Sequence, residues 1–240
     1  MVIKMKKVIA LLIVLMAVPA FAAPTLDTVL NRDLGGVQDS GASYVSLYDL
    51  GGGGYGNSVA TILLEIAGYR DTNNFGIYDV DADGIVRTMQ LIPGAWDVGD
   101  EVRINFLNEQ AWLGNHAYAD VAAADLYAMS TTFGFYIDSQ TGRSATDGFF
   151  YSDSSLNTNF EQRDYVALYD TAGLVDGDNK SLIDGSPTVV IAMEDLVDGD
   201  WDYNDMVVGI SDVTLVPVPG AMVLGSIGVS FVGWLRRRSL

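Results

Sequence analysis

The sequence has 240 residues, a formal net charge of −18 and a hydrophobic fraction of 49%. This fraction excludes a disordered acidic chain, and the length is enough for one full-sized domain with a hydrophobic core. Six of the thirteen basic residues lie near the two ends of the chain. The part of the chain between the basic ends therefore has seven basic and 31 acidic residues, which gives it a net charge of −24. Such an excess argues against binding to nucleic acid or anionic lipid and favours divalent cations as counter-ions. There is no cysteine, so disulfides do not stabilise the fold, and bound metal is one way to replace them.

The first 22 residues have the pattern of a secretory signal peptide. Three lysines precede an apolar run from Val8 to Val18, and small residues surround the Ala22–Ala23 bond. The apolar run is too short to span a bilayer comfortably, which argues against an uncleaved anchor. We therefore predict cleavage between Ala22 and Ala23 and export of the remaining chain.

Ten short apolar segments separated by Gly, Asp and Asn are typical of β-strands. They are Val45–Leu50, Thr61–Tyr69, Asn74–Val80, Ile85–Ile92, Glu101–Leu107, Thr132–Asp138, Gly148–Ser152, Tyr165–Asp170, Thr188–Met193 and Met206–Val213. Strands of this length and spacing, with few helical periods, predict an all-β fold, an antiparallel β-sandwich of the jelly-roll kind, in one domain over residues 23–215. One short helix is expected between Ala119 and Met129 because Ala, Leu and Met are frequent there.

The turn from Asp79 to Gly84 matches the first half of an EF-hand loop, with Asp79, Asp81 and Asp83 at alternate positions. Gln90 stands at the twelfth position, where an EF-hand has a bidentate Glu, and the residues after the turn have the pattern of a strand. The sequence therefore excludes an EF-hand. It leaves two interpretations, a Ca²⁺-binding β-turn with the three Asp ligands or a solvated hairpin.

Candidates for catalysis are few. His116 is the only histidine, and a catalytic triad around it would need a Ser and an Asp supplied by the fold. No spacing singles out a pair among the 31 acidic residues for acid–base hydrolysis. We therefore predict that the protein is not an enzyme.

The Trp and Tyr side chains between residues 96 and 127 are candidates either for a sugar-stacking platform or for core packing, and the sequence leaves both open. They are Trp96, Trp112, Tyr118 and Tyr127.

The most acidic stretch, Glu194–Asp205, has six carboxylates and one Asn in twelve residues and lies between two apolar runs. Two carboxylates ~5 Å apart repel by roughly 3 kcal/mol at an effective dielectric of about 20, so a folded cluster needs protons, solvent or a cation. Oxygen ligands of this kind suit Ca²⁺. The candidate ligands are Glu194, Asp195, Asp198, Asp200, Asp202, Asn204 and Asp205.

The alternation within this stretch suggests two faces. In an extended segment, the Asp and Asn residues from Asp198 to Asn204 would lie on one side, and Trp201 and Tyr203 would lie on the other. The alternative is a solvated acidic turn in which Gly199 supplies a positive φ.

The C-terminal tail has no charged residue from Val213 to Leu235 and ends in Arg236, Arg237 and Arg238. Twenty residues of helix span ~30 Å, so residues 216–235 are expected to form a transmembrane helix with the arginines in the cytoplasm. Together with Pro217 and Pro219, this tail resembles the PEP-CTERM sorting signal of Gram-negative bacteria, with Val in place of Glu between the two prolines. The resemblance implies transient anchoring in the inner membrane, cleavage by an exosortase near the Pro element and release to the cell surface or extracellular matrix. An ordinary membrane anchor is the alternative.

The segment from residue 130 to 212 resembles domain of unknown function 4114, which occurs in bacterial surface and adhesin-like proteins. The resemblance is carried by Ile191–Leu196, by Asp200–Asp205 with the following Met-Val-Val, and by the upstream strands Phe133–Tyr136 and Phe149–Asp153. It implies a β-rich extracellular module with Ca²⁺ binding and does not imply catalysis.

These observations predict an exported structural or adhesive module of the cell surface or matrix, stabilised by Ca²⁺. A carbohydrate-binding module for matrix polysaccharide is the alternative function, and a glycan-acting hydrolase is the third.

Overall fold

A computed structural model of the protein describes residues 23–48, 56–65, 72–94, 96–140, 148–160, 162–176, 180–197 and 199–217. The predicted signal peptide up to Ala22 lies outside the described residues. The predicted sorting signal, residues 216–240, also lies outside them except for Pro217 and for Val216, which is in a strand instead of starting the predicted helix. Pro219 and Arg236–Arg238 are among the residues that are not described. Within the described ranges, no helix is long and apolar enough to cross a membrane.

The described chain contains thirteen β-strands and one short α-helix, α1 (Leu26–Leu30). The strands are β1 (Tyr44–Leu47), β2 (Gly56–Glu65), β3 (Asn74–Val80), β4 (Val86–Ile92), β5 (Glu101–Leu107), β6 (Gln110–Leu113), β7 (Tyr127–Ala128), β8 (Thr132–Ser139), β9 (Gly148–Tyr151), β10 (Val166–Asp170), β11 (Val189–Met193), β12 (Met206–Ile210) and β13 (Val213–Val216). Each of the ten predicted segments contains or overlaps a strand. The additional strands β6, β7 and β13 are short.

The strands form two antiparallel sheets. The first has six strands in the order β13-β1-β8-β3-β4, with β9 also paired to β8, and the second has seven in the order β10-β11-β12-β2-β5-β6-β7. Strands from the beginning and the end of the described chain are neighbours in both sheets, since β1 pairs with β13 and β2 pairs with β12. This sandwich-like arrangement confirms the predicted all-β class.

One hydrophobic core takes side chains from both sheets. Phe75 and Phe133 come from the first sheet, and Phe106 and Ile191 come from the second. The rings of Phe106 and Phe133 stack with their centroids 5.3 Å apart and their planes 10° from parallel. The sheets are therefore held together by direct aromatic and aliphatic contacts.

A second core lies on the other face of the second sheet, where alternate strand residues point away from the first core. Leu26 and Val29 of α1 pack there with Tyr169 and Val190. The Tyr169 hydroxyl donates a hydrogen bond of 2.7 Å to the carbonyl of Pro24. The residues that follow the predicted cleavage site are thus part of the folded domain.

The helix predicted between Ala119 and Met129 is wrong. Two three-residue 3₁₀ turns, Tyr118–Asp120 and Ala123–Asp125, and the strand β7 occupy this stretch. Most of its residues are exposed, and Met129 at its end is the one that is buried, so a helix here would bury little apolar surface. An eleven-residue helix is only marginally stable without such burial, and Asp side chains compete for its backbone hydrogen bonds.

Two glycines of the first sheet lie beneath tyrosine rings. A Cβ atom at Gly134 would lie 2.5 Å from the ring of Tyr78, and one at Gly76 would lie 2.4 Å from the ring of Tyr136. Tyr78 is fully buried and Tyr136 is almost so, although neither belongs to the two cores. The absent side chains allow both rings to lie against the outward surface of the sheet.

We expect Gly134→Ala to lower the free energy of unfolding by about 1–3 kcal/mol, because the new methyl group overlaps the Tyr78 ring. Urea unfolding at equilibrium measures this loss. The same substitution in a Tyr78→Ala background should cost little, since the overlapping ring is absent. Equal losses in the two backgrounds would contradict this account of the packing.

Candidate metal centre

The acidic segment Glu194–Asp205 forms the loop between β11 and β12. Met193 pairs with Met206, so the antiparallel ladder closes the base of the loop. Every residue of the two strands is buried. The loop therefore begins and ends at two fully buried strands of the second sheet.

Glu194 begins the loop with a side chain that is 0% exposed. Its Oε1 atom accepts a hydrogen bond of 2.8 Å from the N–H of Tyr203. Its Oε2 atom is buried and has no hydrogen-bond partner among the described residues. Burial, together with the nearby charges of Asp200 and Asp202, raises the pKa of Glu194 to about 7, although the hydrogen bond from Tyr203 lowers it. A buried carboxylate oxygen of this kind requires a proton or a cation.

Glu194 converges with Asp200 and Asp202, each of which offers one carboxylate oxygen to a group whose members lie within 4.8 Å of one another. Glu194 is buried, Asp202 is half-buried and Asp200 is exposed. The group therefore extends from the interior to the surface. Such an arrangement gives a cation a path from solvent to the buried oxygen.

Gly199 permits this convergence. A Cβ atom at position 199 would lie 2.3 Å from Oε2 of Glu194, which is closer than any real contact of this kind. Gly199 is not among the residues with a positive φ, so it does not have the role in a turn that the sequence suggested as an alternative. Its missing side chain makes room for the glutamate carboxylate.

The loop is not an extended segment, contrary to the expectation from its alternating pattern. Trp201 and Tyr203 both have left-handed backbone, with φ of 59° and 57°. Tyr203 is 5% exposed and lies in the second core, and Trp201 packs against both cores. The Tyr203 hydroxyl donates a hydrogen bond of 2.8 Å to the carbonyl of Asp164. The two aromatic side chains therefore attach the loop to the hydrophobic cores.

Asp195 and Asp205 form a separate polar network beside the three carboxylates. The Nδ2 atom of Asn73 donates to Oδ2 of Asp195 at 2.6 Å, and the N–H of Asp195 donates to Oδ2 of Asp205 at 3.0 Å. Burial raises the pKa of both carboxyl groups. The network joins the loop to residues that precede β3.

The other two predicted ligands have different positions. Asn204 donates through its backbone N–H and its side-chain amide to the Asp202 carboxylate. Asp198 lies outside the described residues. The structure thus brings together Glu194, Asp200 and Asp202 from the predicted set of ligands. Asn73 was missed because it precedes Asp195 by 122 residues and belongs to no acidic motif.

The weaker candidate site has other partners for its carboxylates. Asp79 pairs with Arg87 and accepts a hydrogen bond of 2.6 Å from the N–H of Ser130. Oδ1 of Asp81 accepts from the N–H groups of Asp83 and Ile85 at 3.0 and 2.9 Å. Among the described residues, Asp79, Asp81 and Asp83 are not grouped as a metal cluster. These contacts account for the turn without a cation.

His116 is exposed, and its carbonyl accepts a hydrogen bond of 2.9 Å from the indole of Trp112. Trp112 is fully buried, Trp96 packs against the first core, Tyr118 is half-buried and Tyr127 is 41% exposed. Of these four aromatic residues, only Tyr127 presents a large surface to solvent.

Residues 128–212 match a protein-family model described as "Domain of unknown function (DUF4114)". The match covers about a third of the chain, contains the whole loop from β11 to β12, and confirms the family resemblance of that segment. No curated protein and no solved structure matches the chain.

We expect the protein to lose stability as the pH rises when divalent cations are chelated. The pKa of Glu194 is raised from 4.5 to about 7, so the folded state binds this proton more tightly than the unfolded chain. The resulting stabilisation is fully present below about pH 4.5 and is lost as the pH rises through about 7. Its size is on the order of 3 kcal/mol.

Urea unfolding in EGTA across this pH range measures the effect, with Glu194→Gln as the comparison. Gln stays neutral at every pH, so the difference in stability between the two proteins should change with pH in the direction just given. Asp81→Asn, in the solvated turn, should follow the native protein. A native protein whose stability relative to Glu194→Gln increases with pH would contradict the assignment.

Proposed function

We propose that the protein is an exported structural or adhesive module of the surface or extracellular matrix of a Gram-negative bacterium. Its domain is a jelly-roll-like sandwich in which Ca²⁺ fastens the loop between β11 and β12. The observation that carries this proposal is the convergence of Glu194, Asp200 and Asp202 around a buried carboxylate oxygen without a hydrogen-bond partner among the described residues.

The donor set suits calcium. Ca²⁺ binds carboxylate oxygens at about 2.3–2.6 Å, so two ligands of one ion lie up to roughly 5 Å apart. The separation within 4.8 Å of the three oxygens falls inside this limit. Ca²⁺ also accepts six to eight ligands in flexible geometry, so solvent is able to complete the shell on the exposed side of Asp200.

A cation at this position would act on the stability of the whole domain. It would neutralise the buried charge of Glu194 and the repulsion from Asp200 and Asp202. It would also fix a loop whose Trp201 packs against both hydrophobic cores. The role of the ion in this proposal is mechanical, and neither catalysis nor a catalytic residue is part of it.

Export and sorting complete the proposal. The basic and apolar pattern of residues 1–22 supports secretion. The Pro-Val-Pro element, the apolar segment after it and the terminal arginines support transient insertion in the inner membrane and cleavage by an exosortase. β13 ends at Val216, so Pro217 follows the last strand directly. The cleavage point would thus lie just outside the folded domain.

We expect Ca²⁺ to raise the melting temperature of the protein and EGTA to reverse the change. At a hundredfold excess of Ca²⁺ over its dissociation constant, the stabilisation is about 2.7 kcal/mol, or roughly 5–10 °C for a domain of this size. Differential scanning calorimetry provides the measurement. Glu194→Gln and Gly199→Ala should remove most of the shift, because the first removes a ligand charge and the second displaces the carboxylate.

Asp81→Asn serves as the matched control, since it removes one negative charge at a solvated turn and should keep the full shift. An identical melting temperature with Ca²⁺ and with EGTA would refute the proposal that Ca²⁺ stabilises the domain. If the Ca²⁺-dependent rise in melting temperature persists in Glu194→Gln but disappears in Asp81→Asn, the cation binds at the turn from Asp79 to Gly84 instead.

Mass spectrometry of the protein recovered from its native surface should find an N-terminus at Ala23 and no residues beyond about Pro219. Both ends follow from the predicted processing. Recovery of the intact arginine terminus from mature surface protein would refute sorting cleavage. Such a result would leave the calcium prediction unaffected, because the metal centre lies within the folded domain.

A further inference from the structure

The outward face of the first sheet carries a row of aromatic rings that neither core uses. Successive residues of a strand point to opposite faces of the sheet. On β3 and β8, residues such as Phe75, Ile77 and Phe135 point inward and fill the first core. The residues between them point outward. The aromatic ones on this face are Tyr44, Tyr78, Tyr136, Phe149 and Tyr151.

The rings form a continuous row from the edge strand β9 to β1. The centroids of Phe149 and Tyr151 are 5.9 Å apart with planes 14° from parallel. Tyr151 contacts Tyr78 at 4.9 Å, and Tyr78 contacts Tyr44 at 5.8 Å. Exposure increases along the row, from Tyr78 at 0% to the half-buried Tyr151 and then Phe149 at 39%. The β9 end therefore presents aromatic surface to solvent.

The buried rings of this row, Tyr78 and Tyr136, are closely packed against the sheet. Tyr136 lies over Gly76 and Tyr78 lies over Gly134, each closer than a side chain at the glycine would allow. The Tyr78 hydroxyl accepts a hydrogen bond of 3.0 Å from the N–H of Asp153. A ligand that stacks on the exposed rings would thus meet a surface that is already ordered, which lowers the entropic cost of binding.

Amide and carboxylate groups border the same face. Asp138 lies opposite Phe149 on β8, and its Oδ2 atom accepts a hydrogen bond of 3.0 Å from Gln140. Gln90 donates to Oδ1 of Asn74 at 3.0 Å. Gln90 and Gln140 are exposed, and each amide nitrogen has a second hydrogen available to a ligand. The border therefore offers donors and acceptors suited to hydroxyl groups.

The other end of the row opens into a cleft of about 540 Å³. This is within the range of roughly 300–1,000 Å³ that is usual for ligand clefts. The cleft is lined by Tyr44 and by apolar and polar side chains, which are Val80, Val216 and Pro217 on the apolar side and Ser43, Asp79, Ser130, Thr132 and Asp153 on the polar side. The cleft and the exposed rings of β9 therefore lie on one face, with the buried Tyr78 between them.

We propose that this face binds a neutral polysaccharide, with a sugar ring stacked on Phe149 and Tyr151. Pyranose rings present C–H groups to the negative faces of aromatic rings and present hydroxyl groups at their edges, which matches rings bordered by amides and carboxylates. The net charge of −24 between the basic ends disfavours acidic glycans, nucleic acid and a second copy of this chain. This inference names a ligand for the adhesive role and does not depend on calcium.

Affinity electrophoresis tests the inference, with the purified protein run in native gels that contain hydroxyethyl cellulose, dextran or mannan. At least one polysaccharide should retard the native protein, and Phe149→Ala should raise the apparent dissociation constant about tenfold through loss of stacking. Leu182→Ala is the matched control, because Leu182 is 38% exposed, close to the value for Phe149, but adjoins Ile183 of the second core. The control should be retarded like the native protein.

Retardation that persists in EGTA would separate this site from the metal centre. Loss of retardation in EGTA for every variant would assign polysaccharide binding to the β11–β12 loop and overturn the inference. Absence of retardation with all three polymers, or equal loss in Phe149→Ala and Leu182→Ala, would also overturn it. A change in oligomeric state of Phe149→Ala in size-exclusion chromatography would instead identify the face as an interface between copies.

Discussion

The burial of the Glu194 carboxylate is the physical feature on which the proposed metal centre depends. The side chain lies at the end of a fully buried strand and is 0% exposed, and its Oε2 atom has no hydrogen-bond partner among the described residues. Two more carboxylates, those of Asp200 and Asp202, approach it from the solvent side. An arrangement of this kind is costly without a proton or a cation, because desolvation and like-charge repulsion act in the same direction. Gly199 maintains it by leaving space that a side chain would fill.

The loop that contains this carboxylate also connects the two hydrophobic cores. Trp201 packs against both cores, and Tyr203 lies in the second one with Leu26 of the N-terminal helix. Order in the loop is thus linked by direct packing to the second sheet and to the segment that begins at Ala23. The aromatic row on the first sheet is a separate surface. The domain therefore divides the proposed stabilising and ligand-binding roles between its two sheets.

Much of the fold could be predicted from local pattern, because strands that face a core on one side alternate in polarity or form short apolar runs. β3 and β5 begin and end at the predicted residues. β6 was missed because its turn uses Asn108 and Glu109 with φ of 52° and 59°, and Glu is not a typical residue for a left-handed position. The helix expected near Ala119 was wrong because propensity alone does not stabilise an exposed segment that has no surface to pack against.

The all-β class and the acidic loop between two apolar strands can be predicted from local pattern, because both are properties of neighbouring residues. Which carboxylates meet depends instead on the folded arrangement of the chain. Asp195 turns to Asn73, which is 122 residues earlier in the chain, while Glu194 turns toward Asp200 and Asp202. Adjacent residues differ in this way because left-handed backbone within the loop redirects the chain, and strand pairing brings distant segments beside it. Pairing between strands far apart in sequence depends on the whole fold, and no local pattern encodes it.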